Sequence, residues 1–434
     1  MTEQGWHSHV HGLLCDPAGR VLVLETKRGA ALPRVDLDGY PYDHEGPRRA
    51  LAELLGARIA ILRYVVRDAD TEQKRFDVVY ELELLDGDWE LPAGASWVEA
   101  DALPDEHREV VERHLDERRA GVPALRAPWA RPGWLAQATG WIESSLSRHG
   151  RAPAGPVEQR RCWALSAVLR VPTAEGAVFF KATADSPLFA VEGSVMSGLA
   201  RLHPRNVPEP LAVDASRRWM LLDDLGPAVG WSAPIEEREA ALQAFGHLQV
   251  GSATHLDDLL AMRCIDRRPE WLARETRELL ADDGALAGLE EEEISALRTL
   301  EPHLVELIRR LAEGPVPSTV VHGDLHLDNV ARRDGEFVFF DWTDACVAHP
   351  FLDLIDVAFE EDSAVRDRLR DAYLTVWADH CSQERLLELW TIAVPLASLN
   401  QAVSYRHILA NVEPGSAQEL EWALQFWLRK VLPA

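Results

Sequence analysis

The sequence predicts an α+β protein of more than one domain, with a small strand-and-helix domain first, a strand-rich lobe next and a long helical lobe last. Three observations predict it. At 434 residues the chain exceeds what one ordinary hydrophobic core organises. A stretch with three prolines and no sustained periodicity, AGVPALRAPWARP at 120–132, interrupts it and marks a boundary. Strand-like runs then give way, from Ala233 onward, to helical spacing almost throughout.

Residues 1–119 form the first predicted domain. VHGLLCDPAGRVLVLET reads as two strands around a turn at Asp16-Pro17-Ala18-Gly19. In GPRRALAELLGARIAIL, Leu51, Leu54 and Leu55 fall at helical spacing, and Gly56 suits a C-terminal cap. FDVVYELELL is a further strand, followed by a DGD turn and ASWVEADALP. After the linker at 120–132, residues 133–226 open with a helix, WLAQATGWIESSLSRHG. Two strands follow around a Thr-Ala-Glu-Gly turn in CWALSAVLRVPTAEGAVFFKA, then a helix in FAVEGSVMSGLARL and a strand in RRWMLLDDLG. Residues 227–434 are helical apart from two interruptions, VVHGDLHLDNV and EFVFFDW. The acidic run LEEEEIS at 289–295 is a solvated helix face.

Composition excludes several classes. Nearly half the residues are apolar and about a quarter charged, a globular balance. The 71 acidic residues against 45 basic ones give a net charge of -26. Such a field repels phosphate backbones and anionic lipid and attracts cations, so neither nucleic acid nor membrane is an expected partner. No apolar run reaches the roughly 18 residues of a bilayer span, and MTEQGWHSHVHG lacks the basic and apolar regions of a signal peptide. A cytoplasmic protein is expected. Cys15, Cys162, Cys264, Cys346 and Cys381 form no CxxC pair, as suits reduced thiols.

One stretch carries chemistry. Residues 320–330, VVHGDLHLDNV, place His322, Asp324, His326, Asp328 and Asn329 directly after a β-branched run, and so dense a polar cluster at a strand end costs stability unless it serves a purpose. The chain continues VARRDGEFVFFDW, in which Asp334-Gly335 is a two-residue hairpin signal. That hairpin carries Asp341 back beside Asn329 and Asp324. Hard oxygen ligands converging in this way suit Mg²⁺, which is held by one or two protein carboxylates plus substrate phosphates. A carboxylate left off the metal can orient a substrate hydroxyl and accept its proton.

In these residues the sequence resembles the aminoglycoside phosphotransferase family, small-molecule kinases with a two-lobed protein-kinase-like fold. HGDLHLDN is similar to that family's H-G-D-x-x-x-x-N loop, and FFDW to its apolar-Asp motif. The resemblance extends from about Trp134 to the C-terminus. It implies Asp324 as catalytic base, Asn329 as a metal ligand, Asp341 as the principal metal ligand, and His322 and Asp353 as structural supports. ATP or GTP with Mg²⁺ would be the donor. The resemblance further implies a strand lysine held by a helix glutamate, matched by Lys181 in AVFFKA and Glu192 in FAVEGSVMSGL. MLLDDLG resembles the hinge, whose backbone groups around Leu222, Asp223, Asp224 and Leu225 would bind adenine. Where protein kinases have a glycine-rich phosphate loop, CWALSAVLRV has Ser166 at the turn and no glycine. No A-P-E signature follows FDW either, so protein kinase activity is not expected.

The acceptor pocket of this family lies in the helical lobe and the segment after the metal Asp. Asp344 in DWTDA, Asp257 and Asp258 in HLDDLL, and Gln401, Ser404 and Tyr405 in SLNQAVSYRHI are the residues it would draw on. The last three are polar positions in an otherwise apolar helix.

The first domain resembles a degenerate Nudix domain in its order of elements. Gly39 and Glu45 match the start of that family's motif, and RALAELLG supplies Arg49, Glu53 and Gly56, but Ala50 and Leu54 replace two glutamates. One remaining helix carboxylate makes a poor magnesium site, so pyrophosphate hydrolysis is not expected. His7, His9 and His11 alternate as zinc ligands on a strand face could, without a matched fourth ligand, and ordinary surface histidines are the better reading. The expectation is an ATP- or GTP-dependent, Mg²⁺-dependent small-molecule O-phosphotransferase, with an aminoglycoside, aminosugar or related antibiotic as acceptor. Its alternatives are a sugar kinase of primary metabolism, a catalytically idle nucleotide-binding regulator, and an active Nudix-like domain.

Overall fold

The apolar runs at the start of the chain build two sheets rather than one hairpin. In a computed structural model that describes residues 5–27, 29–39, 43–417 and 419–433, the chain divides into two units. One is Met1–Ala184 with Val412–Ala417, the other Asp185–Asn411 with Gln418–Ala434. Both mix strands and helices, so the α+β class stands.

In the first unit, β1 (His7–Leu13), β2 (Val21–Thr26), β3 (Gly29–Ala31), β4 (Arg34–Asp38), α1 (Glu45–Leu55), β5 (Ile59–Asp70), β6 (Arg75–Leu84), β7 (Ala95–Val98) and α2 (Asp105–Ala120) come first. They form the sheets β4-β1-β6-β5 and β3-β2-β7. β1 and β2 flank the expected turn yet enter different sheets, because β1 pairs in parallel with β6 and β2 pairs with β7. α1 stops where Gly56 adopts a left-handed φ of 59° and its N–H closes on the carbonyl of Glu53, the cap glycine provides most readily. Leu51 and Leu55, four residues apart, pack with Ile59, Ile61 and Tyr80. Leu54, off that stripe, is 38% exposed.

α3 (Trp134–Arg148) and the antiparallel strands β8 (Glu158–Cys162), β9 (Ser166–Thr173) and β10 (Gly176–Thr183) complete this part. β8 is EQRRC, which carries no strand pattern of its own. The 412–417 segment joins the unit through buried Arg126, whose guanidinium bridges Glu117 and Glu413.

The second unit holds α4 (Glu192–Leu202), β11 (Ala212–Asp214), β12 (Trp219–Asp223), α5 (Ile235–Ser252), α6 (Leu256–Ala261), β13 (Ile265–Asp266), α7 (Pro269–Ala281), α8 (Asp283–Leu286), α9 (Glu291–Ala312), β14 (Thr319–Val321), β15 (Val330–Arg333), β16 (Glu336–Phe339), β17 (Cys346–Ala348), α10 (Ile355–Ala358), α11 (Ser363–Thr375) and α12 (Gln383–Ala410). α13 (Pro414–Ala417) lies in the segment that joins the first unit, and α14 (Glu421–Val431) closes the chain. One contiguous core runs through the second unit, with Phe245, Phe339, Trp342, Tyr373, Trp377 and Leu396 at its centre. α12 is long and apolar enough to cross a membrane by length and composition, but most of its apolar window is buried in this core. All five cysteines are free thiols.

Candidate active site

Three short strands present the polar cluster. β14 runs between α5 and β17, and its β-branched residues are fully buried. The chain leaves it at His322 and turns through Gly323, which adopts φ +84°. It then passes Asp324 and a short helical turn at Leu327–Asn329 before entering β15. The hairpin to β16 is tight, with Asp334 and Gly335 both at positive φ, as a type I′ turn requires. Val330 faces Phe339, and the N–H of Phe340 donates to the carbonyl of Asn329 at 3.1 Å. The hairpin thus returns Asp341 beside the Asn329 loop.

The loop is fixed from beneath. Asp353, fully buried, accepts hydrogen bonds from the backbone N–H of His322 (2.7 Å) and of Gly323 (2.8 Å) and from the Gln249 side-chain amide (3.0 Å). Gln249 also donates to the carbonyl of Val320 and accepts from the Tyr373 hydroxyl. Burial pushes Asp353 up to about 7, against the pull of its backbone N–H partners. His322 is fully buried and burial lowers its pKa, which favours a neutral ring. Its Nε2 lies 2.9 Å from the carbonyl of Phe340, an acceptor that assigns the proton to Nε2. One histidine therefore ties the Asp324 turn to the residue before Asp341.

Asn329 donates from its amide nitrogen to the carbonyl of Asp324 (3.0 Å), and the same nitrogen lies 3.0 Å from Nε2 of His326. With the nitrogen turned into the loop, the amide oxygen is the atom left to accept a cation. Asp341 has a left-handed backbone, φ 65°, a strained state for a residue other than glycine. Its Oδ1 lies 3.2 Å from the Thr343 hydroxyl, which is also 2.9 Å from Oε2 of Glu192. Oε1 of buried Glu192 accepts the N–H of Trp342 at 3.1 Å. Asp324 itself is exposed, with Nε2 of His326 3.7 Å from its carboxylate. Burial opposes protonation of His326, but Asp324 raises its pKa overall.

The expected acceptor residues separate into two groups. Asp344, Gln401 and Tyr405 surround the Gly323-Asp324 turn. A Cβ on Gly323 would meet Asp344, and Gln401 Nε2 donates to the carbonyl of Gly323 at 2.8 Å. Burial, then the charges of Asp324 and Asp344, raise the pKa of the Tyr405 hydroxyl. The other three make their contacts elsewhere. Asp257 and Asp258 sit exposed in the first turn of α6, where acidic residues favour the helix dipole, and Asp258 lies 3.1 Å from His255 Nδ1. Ser404 bonds to Arg267 and to the carbonyl of Asn400.

Leu222 is buried in the core at the end of β12, so only its backbone is available to a ligand. Asp223 follows it, Asp224 caps a turn by accepting from Gly226 N–H, and Leu225 lies between them. Lys181 sits on β10 opposite Val168, and Ser166 Oγ accepts from the Trp163 indole; both belong to the first unit. Of the alternating histidines, His9 pairs with Asp36, and His11 is buried edge-on against His107, its pKa lowered to about 4 by burial. The described residues contain no group of three or more His, Cys, Asp or Glu able to hold a metal. A phosphate-shared Mg²⁺ needs fewer protein ligands than that, and one amide oxygen with one carboxylate is a hard-oxygen pair that fits it.

Sequence reasoning missed Gln249, Thr343 and Asp356. Gln249 was detectable as a polar residue on the buried side of α5. Asp356 lies one helical turn beyond Asp353 and lines, with Trp231, Phe245 and His326, a cavity of about 30 Å³ under the loop, which has room for water and not for a substrate.

The phosphotransferase enzyme family APH matches residues 166–387, just over half of the chain, and the chain belongs to that family. No curated protein matches it. Among solved structures, a macrolide 2'-phosphotransferase type I is 15% identical, covers 68% of this chain and 97% of its own, and has a TM-score of 0.47. A macrolide 2'-phosphotransferase from Brachybacterium faecium is 18% identical, with coverages of 65% and 97% and a TM-score of 0.45. An ethanolamine kinase from Plasmodium vivax is 10% identical, with coverages of 75% and 94% and a TM-score of 0.46. Family membership rests on the sequence match and not on these likenesses.

Proposed function

We propose that the protein transfers the γ-phosphate of ATP or GTP to a hydroxyl of a small, cationic acceptor of the aminoglycoside or aminosugar kind. The observation that carries this reading is the return of Asp341 beside Asn329 across the β15–β16 hairpin, next to an exposed Asp324. Asp324 orients the acceptor hydroxyl and takes its proton. Asn329 Oδ1 and the Asp341 carboxylate would hold Mg²⁺, which when bound offsets charge on the donor phosphates. Lys181, with Glu192 as its partner, fixes the donor, and the backbone of residues 222–225 receives the base.

Asp344 and Tyr405 beside Asp324, together with the net charge of -26, support a cationic acceptor by electrostatic attraction. Gln401 positions the turn through its bond to the carbonyl of Gly323. The first domain is Nudix-like in its elements without being a pyrophosphate hydrolase. Glu45 is occupied by Arg48 and by the N–H of Gln159, and Glu53 is exposed on the helix. A cytoplasmic location agrees with the reduced cysteines.

The test is Mg²⁺-dependent consumption of ATP and GTP across a panel of aminoglycosides, aminosugars, neutral sugars and nucleoside antibiotics, beside Asp324→Ala. Turnover with one class, lost by about 10²-fold or more in the variant, establishes the reaction and its acceptor. Turnover of a nucleoside diphosphate sugar that survives Asp324→Ala and fails in Glu53→Ala would overturn it.

A further inference from the structure

We infer that the N-terminal domain and linker serve the transfer reaction by gripping β8 and the turn at 163–166, holding in one conformation the segment that replaces a glycine-rich phosphate loop. The inference rests on the phosphotransferase reading above.

β8 has no reason of its own to be a strand. The sequence EQRRC lacks alternation, and only Gln159 and Cys162 are buried. The first domain supplies the order. The Gln159 amide pairs with β5 as a backbone would, accepting the N–H of Ile61 at 2.8 Å and donating to its carbonyl at 2.9 Å. The N–H of Gln159 donates to Oε2 of Glu45 at 3.0 Å. Just before α1, the N–H of His44 donates to the carbonyl of Arg160 (3.0 Å), and Nδ1 of His44 accepts the N–H of Cys162 (3.3 Å). His44 is fully buried and burial lowers its pKa to about 4, so the ring keeps the lone pair that this bond needs. Glu45 in turn is clamped by Arg48, which also reaches the carbonyl of Ile59.

The linker finishes the grip. Trp129 Nε1 donates to the carbonyl of Trp163 at 2.7 Å. Trp163 N–H donates to the carbonyl of Ser166, and its indole N–H to Ser166 Oγ. The Arg161 guanidinium lies 4.0 Å over the Trp163 ring, a cation–π distance. A glycine-rich loop would have to be ordered by the phosphates it binds. A turn braced from outside meets them already ordered, so less conformational entropy is lost on binding. The same contacts explain why the start of α1 carries His44 and Glu45: both side chains are engaged by β8.

The test uses the full chain with Gln159→Met, which keeps side-chain length and removes both bonds to Ile61. Two readouts are needed, hydrogen exchange of the peptide spanning 158–166 without nucleotide, and binding of Mg·ADP by calorimetry. Exchange in that peptide about tenfold faster, with ADP bound about tenfold more weakly and kcat changed less than KM for ATP, is the expected result. Unchanged exchange and unchanged ADP affinity, whatever happens to global stability, would reduce these contacts to packing and overturn the inference. If Gln159→Met does not fold, Glu45→Ala at the helix start is read by the same criteria. Failure of the unmodified protein to bind any nucleotide would instead overturn the phosphotransferase reading and this inference with it, a signature separate from the exchange result.

Discussion

Gly323 is the position where the site tolerates least change, and Gly323→Ala puts a number on it. A Cβ there would lie 2.5 Å from the carbonyl oxygen of Asp344 and 2.6 Å from its Cβ, where ordinary contact begins at 3.4 Å. Relief requires the turn to retreat by about 0.9 Å, the gap between 3.4 and 2.5 Å. Alanine at φ +84° adds roughly 1–2 kcal/mol of left-handed strain, and overpacking against backbone adds roughly 1–3 kcal/mol. The displaced turn is the one whose N–H bonds to Asp353 and whose carbonyl accepts from Gln401, so Asp324 moves with it. A misplacement of about 1 Å at reacting groups costs on the order of 10²-fold. The expectation is therefore a loss of roughly 2–5 kcal/mol in urea unfolding and about 10²-fold in kcat/KM for the acceptor that the Asp324-dependent panel identifies. A variant that unfolds at the wild-type urea concentration and keeps kcat/KM within about threefold would refute the steric argument.

Two further outcomes separate roles that the site geometry suggests. Burial first, then the charges of Asp324 and Asp328, push Asp356 up to about 6 from an ordinary 3.8, with His326 opposing. The folded state thus holds this proton more tightly than the unfolded chain, so the contribution is fully present below about pH 3.8 and is lost as pH rises through about 6. At about 1.4 kcal/mol per pH unit the loss approaches about 3 kcal/mol, and Asp356→Asn should make the decline in urea titrations between about pH 4 and 6 shallower, leaving the part that belongs to Asp353, itself raised to about 7; an unchanged slope would remove Asp356 as a source. Gln401→Ala, which removes the bond to Gly323, should lower stability by about 1 kcal/mol and reduce kcat more than it raises the acceptor KM. The reverse split would make Gln401 an acceptor ligand instead.

How far the site could be read from sequence followed from whether its signal was local. The Asp334-Gly335 turn fixed the pairing of Val330 with Phe339, and therefore the approach of Asp341 to Asn329, because a two-residue loop leaves no freedom in register. The Gly56 cap and the helix bearing Glu192 were legible for the same reason. Long-range polar partners were not. Gln249 meets Asp353 across 104 residues and Gln159 meets Ile61 across 98, and no periodicity encodes such a pair. β8 was invisible because its order comes from α1 and β5, far earlier in the chain. Gln401 looked like a ligand because it is polar on an apolar helix, a pattern that a buried carbonyl such as that of Gly323 explains equally well.

Asp341 shows how the parts depend on one another. A left-handed aspartate persists only where neighbours over-determine it, and here the constraints come from both sides. His322 holds the carbonyl of Phe340 before it, and Glu192 holds the N–H of Trp342 after it. His322 is itself anchored to Asp353, which also carries the Asp324 turn. The proposed base and the proposed metal ligand are therefore set by one buried carboxylate acting through one neutral histidine. Glu192, proposed as the partner of Lys181, simultaneously fixes the backbone after Asp341. The N–H of Trp342 and the Thr343 hydroxyl both reach Glu192, and these two bonds offset the cost of a buried glutamate at the first turn of α4, where an isolated charge would otherwise be costly.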